Sequence, residues 1–123
     1  MSWKLEIYRA FFVAFGMFEI ISNLKFLSLK NGMNLARKQH QEIPKEVTKK
    51  QLKTKVMLMF IFGLLFFLIG MSSYILRNVN ETYYLLALIL FAMYAVGEAL
   101  YYKYWKTFGF STVSILFLLG FLL

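Results

Sequence analysis

Residues 56–76 read VMLMFIFGLLFFLIGMSSYIL, a run with no charged side chain. No other stretch limits the possible fold so strongly. A helix rises 1.5 Å per residue, so about 20 apolar residues reach across the hydrocarbon of a bilayer. Three more runs of this kind follow from the same count, over about 5–29, 82–102 and 107–123. A domain of 123 residues that is 60% hydrophobic, with 14 Phe and 8 Tyr, has too little interior to hide all four from water. The expected fold is therefore an all-α integral membrane protein, a single domain of four transmembrane helices in a small bundle. The last run lies at the short limit for a span, and the first carries Arg9, Glu19 and Lys25. Lys4 and Arg9 imitate the basic start of a signal peptide. No small-residue cleavage site follows and Glu19 interrupts the apolar run, so a retained helix is expected.

Charge supplies the topology. The connection KNGMNLARKQHQEIPKEVTKKQLKTK, residues 30–55, holds eight Lys/Arg against two Glu. Basic loops stay in the cytoplasm, which places 30–55 inside, RNVNE outside, KYWK inside and both termini outside the cell membrane. The formal net charge of +8 then points to anionic lipid headgroups rather than to nucleic acid. Asn31-Gly32 suits the end of the first helix, and Pro44 suits the first turn of a helix running into the second span. On that helix Lys45, Lys49 and Lys53 share a face suited to headgroups. Short loops make the second and third spans antiparallel neighbours, and likewise the third and fourth. Trp3, Trp105, Tyr101, Tyr102 and Tyr104 suit an interfacial belt. Asn80-Glu81-Thr82 matches a glycosylation pattern but lies too close to the membrane to carry a glycan. The bias toward Phe, Lys, Ile, Asn and Leu suggests a low-GC bacterium.

Two polar stripes interrupt the apolar faces. At about 100° per residue, Arg9, Gly16, Glu19 and Asn23 fall in one sector of the first helix, with Asn23 one turn from Glu19. On the third span Tyr83, Ala87, Phe91, Tyr94, Glu98 and Tyr101 share a sector, opposite Leu86, Ile89 and Met93. Lipid cannot satisfy such groups, so both stripes are expected to face inward. Tyr94 and Tyr101 are expected to donate to Glu19, with Glu98 on the same face. Two carboxylates in one low-dielectric cavity do not comfortably ionise together, so one holds a proton or a cation sits between them. Gly63 and Gly70 share a face suited to close helix packing. His40 has no His, Cys or Asp near it in sequence and reads as a solvated loop residue.

Cysteine is absent, which excludes disulfides, thiolate zinc sites and cysteine nucleophiles. No phosphate-binding glycine loop, metalloprotease motif, catalytic triad or metal cluster occurs, so no enzyme, cofactor or metal is expected. An intramembrane carboxyl is by default a functional group. The leading function is a proton- or cation-coupled small transporter or ion pathway using Glu19, Glu98, Asn23, Tyr94 and Tyr101. The alternative is a membrane interaction protein, such as an immunity, accessory or regulatory subunit, whose glutamates stabilise helix packing. The size, the four spans and the glutamate in FEIISNLK resemble the small multidrug resistance transporters. In that family such a glutamate alternates between a proton and a cationic drug. The long basic connection departs from that family's short first loop. Four short helices leave little room to bury two polar faces, so a homo-oligomer or a larger membrane partner is expected.

Overall fold

The structure is a computed structural model that describes residues 3–44 and 46–123. Among these residues there are five helices: α1 (Trp3–Ser28), α2 (Gly32–Gln39), α3 (Lys49–Ile75), α4 (Glu81–Tyr102) and α5 (Trp105–Leu122). All except α2 are long and apolar enough to cross a membrane, which makes the chain a candidate multi-pass membrane protein.

The connection departs from expectation at both of its punctuation marks. Asn31-Gly32 does not simply stop α1; Asn31 is the N-cap of α2, an extra short helix. Pro44 opens no helix, because a stronger start signal lies downstream. Thr48 Oγ1 accepts from the Gln51 backbone N–H at 3.1 Å, while the Gln51 side chain accepts from the Thr48 N–H at 2.9 Å. This reciprocal cap satisfies two donors that the first turn otherwise leaves orphaned. Thr48→Ala should loosen that turn by about 1 kcal/mol, read as faster amide exchange at Gln51 and Leu52 with the rest of α3 unchanged. Of the lysine row, Lys49 and Lys53 are exposed at the start of α3, and Lys45 lies outside the described residues.

Helix α1 packs antiparallel along α3. Contacts descend α3 as they climb α1: Val13 lies against Gly70, Gly16 against Gly63 and Phe67, and Glu19 against Gly63. The glycines let the backbones touch. A Cβ on Gly16 would stand 2.5 Å from the Phe67 nitrogen and 2.8 Å from the Gly63 carbonyl oxygen. Helices α4 and α5 form the second antiparallel pair, joined by a tight turn with Lys103 in the left-handed region at φ 51°. Helix α4 is also antiparallel to α3, since Ser73 meets Tyr84 and Phe62 meets Tyr94.

Aromatic side chains join the two pairs. The Phe12 ring stacks on Phe66 with centroids 4.4 Å apart and lies 4.3 Å from Tyr84. Phe91 meets Phe15, Phe62, Phe66 and Phe110. A second, smaller cluster of Phe26, Ala36, Ile43, Val47, Leu52 and Val56 seats the connection on the bundle end. This arrangement sets the polar site between the aromatic core and the connection.

The expected stripe on α1 is buried at Gly16, Glu19 and Asn23, while Arg9 is half-buried and paired with Glu6. The expected stripe on α4 is rotated. Tyr83 and Tyr101 are exposed, and the inner positions are Tyr84, Ala87, Leu88, Phe91, Ala95, Glu98 and Ala99. On this inner face Tyr84 lies against Phe121 and Phe91 against Phe110 of α5, which turns Tyr83 and Tyr101 outward. Asn80, in the suggested glycosylation pattern, is instead the N-cap of α4 and accepts from the Thr82 N–H at 3.1 Å.

Candidate functional site

Glu19 and Glu98, the glutamates within the long apolar helices, do not meet directly. They are the ends of one buried polar chain that runs through the connection. Glu19 sits on α1 against Gly63, and Asn23, fully buried one turn later, donates from Nδ2 to its carboxylate and its backbone oxygen, both at 2.7 Å. With the amide nitrogen committed to those acceptors, Asn23 Oδ1 faces outward and lies 2.9 Å from His40 Nε2. His40 Nε2 must therefore carry the hydrogen in that bond. The other ring nitrogen, Nδ1, lies 3.7 Å from the Glu42 carboxylate. Glu42 in turn lies 2.9 Å from Lys55 Nζ, and Lys55 Nζ lies 2.9 Å from Glu98. Tyr94 closes the chain by donating its hydroxyl to the second Glu98 oxygen at 2.6 Å.

Lys55 is the hub. Its side chain is 1% exposed and touches two carboxylates. Its ammonium also lies 4.4 Å from the Phe110 ring centroid and 5.0 Å from that of Tyr94. Aromatic faces and carboxylates together replace the water that the ammonium has lost. The hub links all the long helices: Lys55 belongs to α3, Glu98 and Tyr94 to α4 and Phe110 to α5, while Glu42 leads back to α1.

This geometry corrects several expectations. Tyr94 donates to Glu98, not to Glu19. Tyr101 is exposed and its hydroxyl accepts from Gln51 at 3.1 Å, away from Glu19. His40 is 3% exposed, not a solvated loop residue, because Ile43 and Val47 beside it in the connection are packed with Phe26, Leu52 and Val56. Sequence reasoning missed Lys55, His40 and Glu42. Lys55 did carry a signal, since it falls in register with Leu52, Met59 and Gly63 on the buried face of α3.

Glu42 lies in the connection and is half-buried. Burial by itself pushes its carboxyl up, but the His40 ring and the Lys55 ammonium outweigh that and hold it at about 2. An unfolded Glu titrates near about 4.3. A lowered native value contributes stability that is complete above the unfolded value and is lost as pH falls toward the native one. The connection should therefore open between about pH 5 and pH 2, measured by pulsed hydrogen exchange over residues 40–48. Glu42→Gln should remove that acid step.

Beside the hub, a cavity of about 600 Å³ opens between α3 and α4, lined by Lys55, Glu98, Tyr94, Gln51, Gly97 and Tyr101. Glu98 faces this cavity, whereas Glu19 lies in the packed seam of α1 and α3. Among the described residues no group of His, Cys, Asp or Glu is arranged to hold a metal ion. Comparison with known protein families, with curated proteins and with solved structures finds no match to this chain.

Proposed function

We propose that the chain is a multi-pass protein of the cell membrane that passes or senses a proton or small cation through the buried chain from Glu19 to Glu98, and that it performs no covalent chemistry. The charge balance beside the cavity carries this reading. Three carboxyls, of Glu19, Glu42 and Glu98, share one ammonium and one imidazole. Even with His40 protonated, one carboxyl is in surplus. A buried cluster in low dielectric does not tolerate an uncompensated charge, so a further proton or cation completes it. Glu98 is the group such a cation reaches first, because the cavity opens on it and Lys55 can turn to Glu42. In this reading residues 30–55 are cytoplasmic and both termini are outside, which the eight basic residues of 30–55 support.

A second reading, a membrane interaction protein with structural glutamates, is favoured by one observation. Glu19 packs on Gly63 and is hydrogen-bonded by Asn23, away from the cavity. The two readings separate in proteoliposomes that trap a pH-sensitive dye under an imposed membrane potential. The transport reading expects a proton or cation flux above that of empty liposomes, abolished by Glu98→Gln in protein that inserts and remains monodisperse. The packing reading expects wild-type vesicles no leakier than empty ones. Flux that persists in Glu98→Gln would remove this site from the pathway.

A further inference from the structure

Glu19, Asn23, His40, Glu42, Lys55 and Glu98 all lie in the half of the bundle that carries the connection, so the polar chain alone does not reach the opposite face. Another cavity of about 600 Å³ lies in that opposite half, beside the α3–α4 turn. Its lining includes Leu65 and Ser72 from α3, Asn78 and Asn80 from the turn, and Tyr84 and Leu90 from α4. It opens on the same seam as the Glu98 cavity, between α3 and α4.

One layer of rings separates the two cavities. The Glu98 cavity reaches up to Leu58 on α3 and Tyr94 on α4, and the far cavity starts at Leu65 and Leu90. At 1.5 Å per residue the gap along the helices is about 6–10 Å. Phe62 stands in it, half-buried, with its ring centroid 5.1 Å from that of Phe91, edge-on, and 5.3 Å from that of Tyr94. Tyr94 belongs to both the layer and the site, since its hydroxyl donates to Glu98 at 2.6 Å. Side chains rather than backbone hold this layer. Helix α1 packs tightly on α3 and α4 on α5, whereas α3 and α4 approach closely at few places. A ring in such a seam can turn by a rotamer change while the helices stay in place. Apolar rings that narrow a passage also keep water out of it, which blocks an ion until they move.

From this alignment we infer that the two cavities are the halves of one passage for a small cation along the α3–α4 seam, with Phe62 as its gate. The passage rests on the reading that Glu98 takes up a proton or cation, and it supplies the way from Glu98 to the far side. In the structure the gate is closed.

Thiol accessibility tests the passage without requiring flux. Gly97→Cys reports the Glu98 cavity and Ser72→Cys the far one. A membrane-impermeant quaternary-ammonium methanethiosulfonate is applied from the side that labels Asn78→Cys. Ser72→Cys should react from that side, and Gly97→Cys should react at least about tenfold more slowly. Phe62→Ala should remove most of that difference. Phe91→Leu keeps an apolar side chain in the layer but withdraws the ring that Phe62 meets, and should act in the same direction. Ile61→Ala trims the exposed face of the same turn and should change nothing. In proteoliposomes Phe62→Ala should also raise the flux that depends on Glu98. Position 97 opened by Phe62→Ala, with no flux from any variant, removes transport and leaves the passage. Flux abolished by Glu98→Gln, with position 97 unchanged by Phe62→Ala and by Phe91→Leu, removes the passage and leaves transport. A thiol at 72 that is silent from that side, or equal opening of position 97 by Ile61→Ala, also overturns the inference.

Discussion

Lys55→Met should destabilise the fold by about 3–5 kcal/mol, the largest stability loss expected of any single substitution in this chain. Methionine nearly matches the lysine stem in length, so packing against Leu52 and Met59 survives and the change is chiefly one of charge. The ammonium is 2.9 Å from both Glu42 and Glu98, and its removal leaves the buried Glu98 and the half-buried Glu42 without it. The cost is that of stranding those groups rather than the net worth of the ion pairs. The companion substitution separates the two. Glu98→Gln alone leaves Lys55 with Glu42 and keeps a hydrogen-bonding group beside Tyr94, so it should be mild. In Lys55→Met with Glu98→Gln one stranded carboxylate is gone, and part of the loss should be recovered. Unfolding curves in mixed micelles for the four proteins measure the coupling. A loss within about 1 kcal/mol for Lys55→Met would show that removing the ammonium does not strand these carboxylates.

The second large effect belongs to the α1–α3 seam. Gly16→Leu should cost at least about 1–3 kcal/mol, because the added atoms meet backbone that cannot rotate aside. The Phe67 nitrogen and the Gly63 carbonyl are the atoms in the way, at 2.5 and 2.8 Å from an added Cβ. Pushing α1 off α3 also lifts Glu19 from Gly63 and loosens its link through Asn23 to His40. Gly109→Leu is the control, since a Cβ there meets nothing within 4 Å. It should leave the melting temperature unchanged or slightly higher, because leucine is the better helix former. Similar losses for both variants would mean that the seam is not tightly packed.

The two effects show which parts of the molecule were legible in the sequence. The four long apolar helices follow from run length alone, since nothing but bilayer thickness or a large core makes such runs useful. The inward side of α1 was legible because Glu19 and Asn23 lie one turn apart in an otherwise apolar helix, leaving one sector to hold them. The α4 stripe was harder. Tyrosine and alanine both occur on buried and exposed faces, and only tertiary packing decides that Ala87, Ala95 and Ala99 go in with Tyr84 while Tyr83 and Tyr101 stay out. Lys55 was obscured by its surroundings: in a run of lysines it looks like one more topology signal. Its register with Leu52 and Met59 becomes visible only when α3 is extended upstream to its cap at Thr48. His40 and Glu42 had no periodic signal at all. Their burial depends on the connection folding back over Phe26, Ala36 and Leu52, a tertiary event without a local pattern.

In the proposed function, Glu98 and Lys55 line a cavity that water enters from the side of the membrane carrying the basic connection. Cysteine accessibility tests it directly, because the natural chain contains no cysteine. Gly97→Cys places a thiol in the cavity wall where an added Cβ meets no atom within 4 Å. Gln39→Cys marks the end of α2, and Asn78→Cys marks the turn between α3 and α4. A membrane-impermeant thiol reagent applied to right-side-out and inside-out vesicles should label positions 97 and 39 from the same side and position 78 from the other. A thiol at 97 that reacts from the side of 78, or from neither side, would contradict the account.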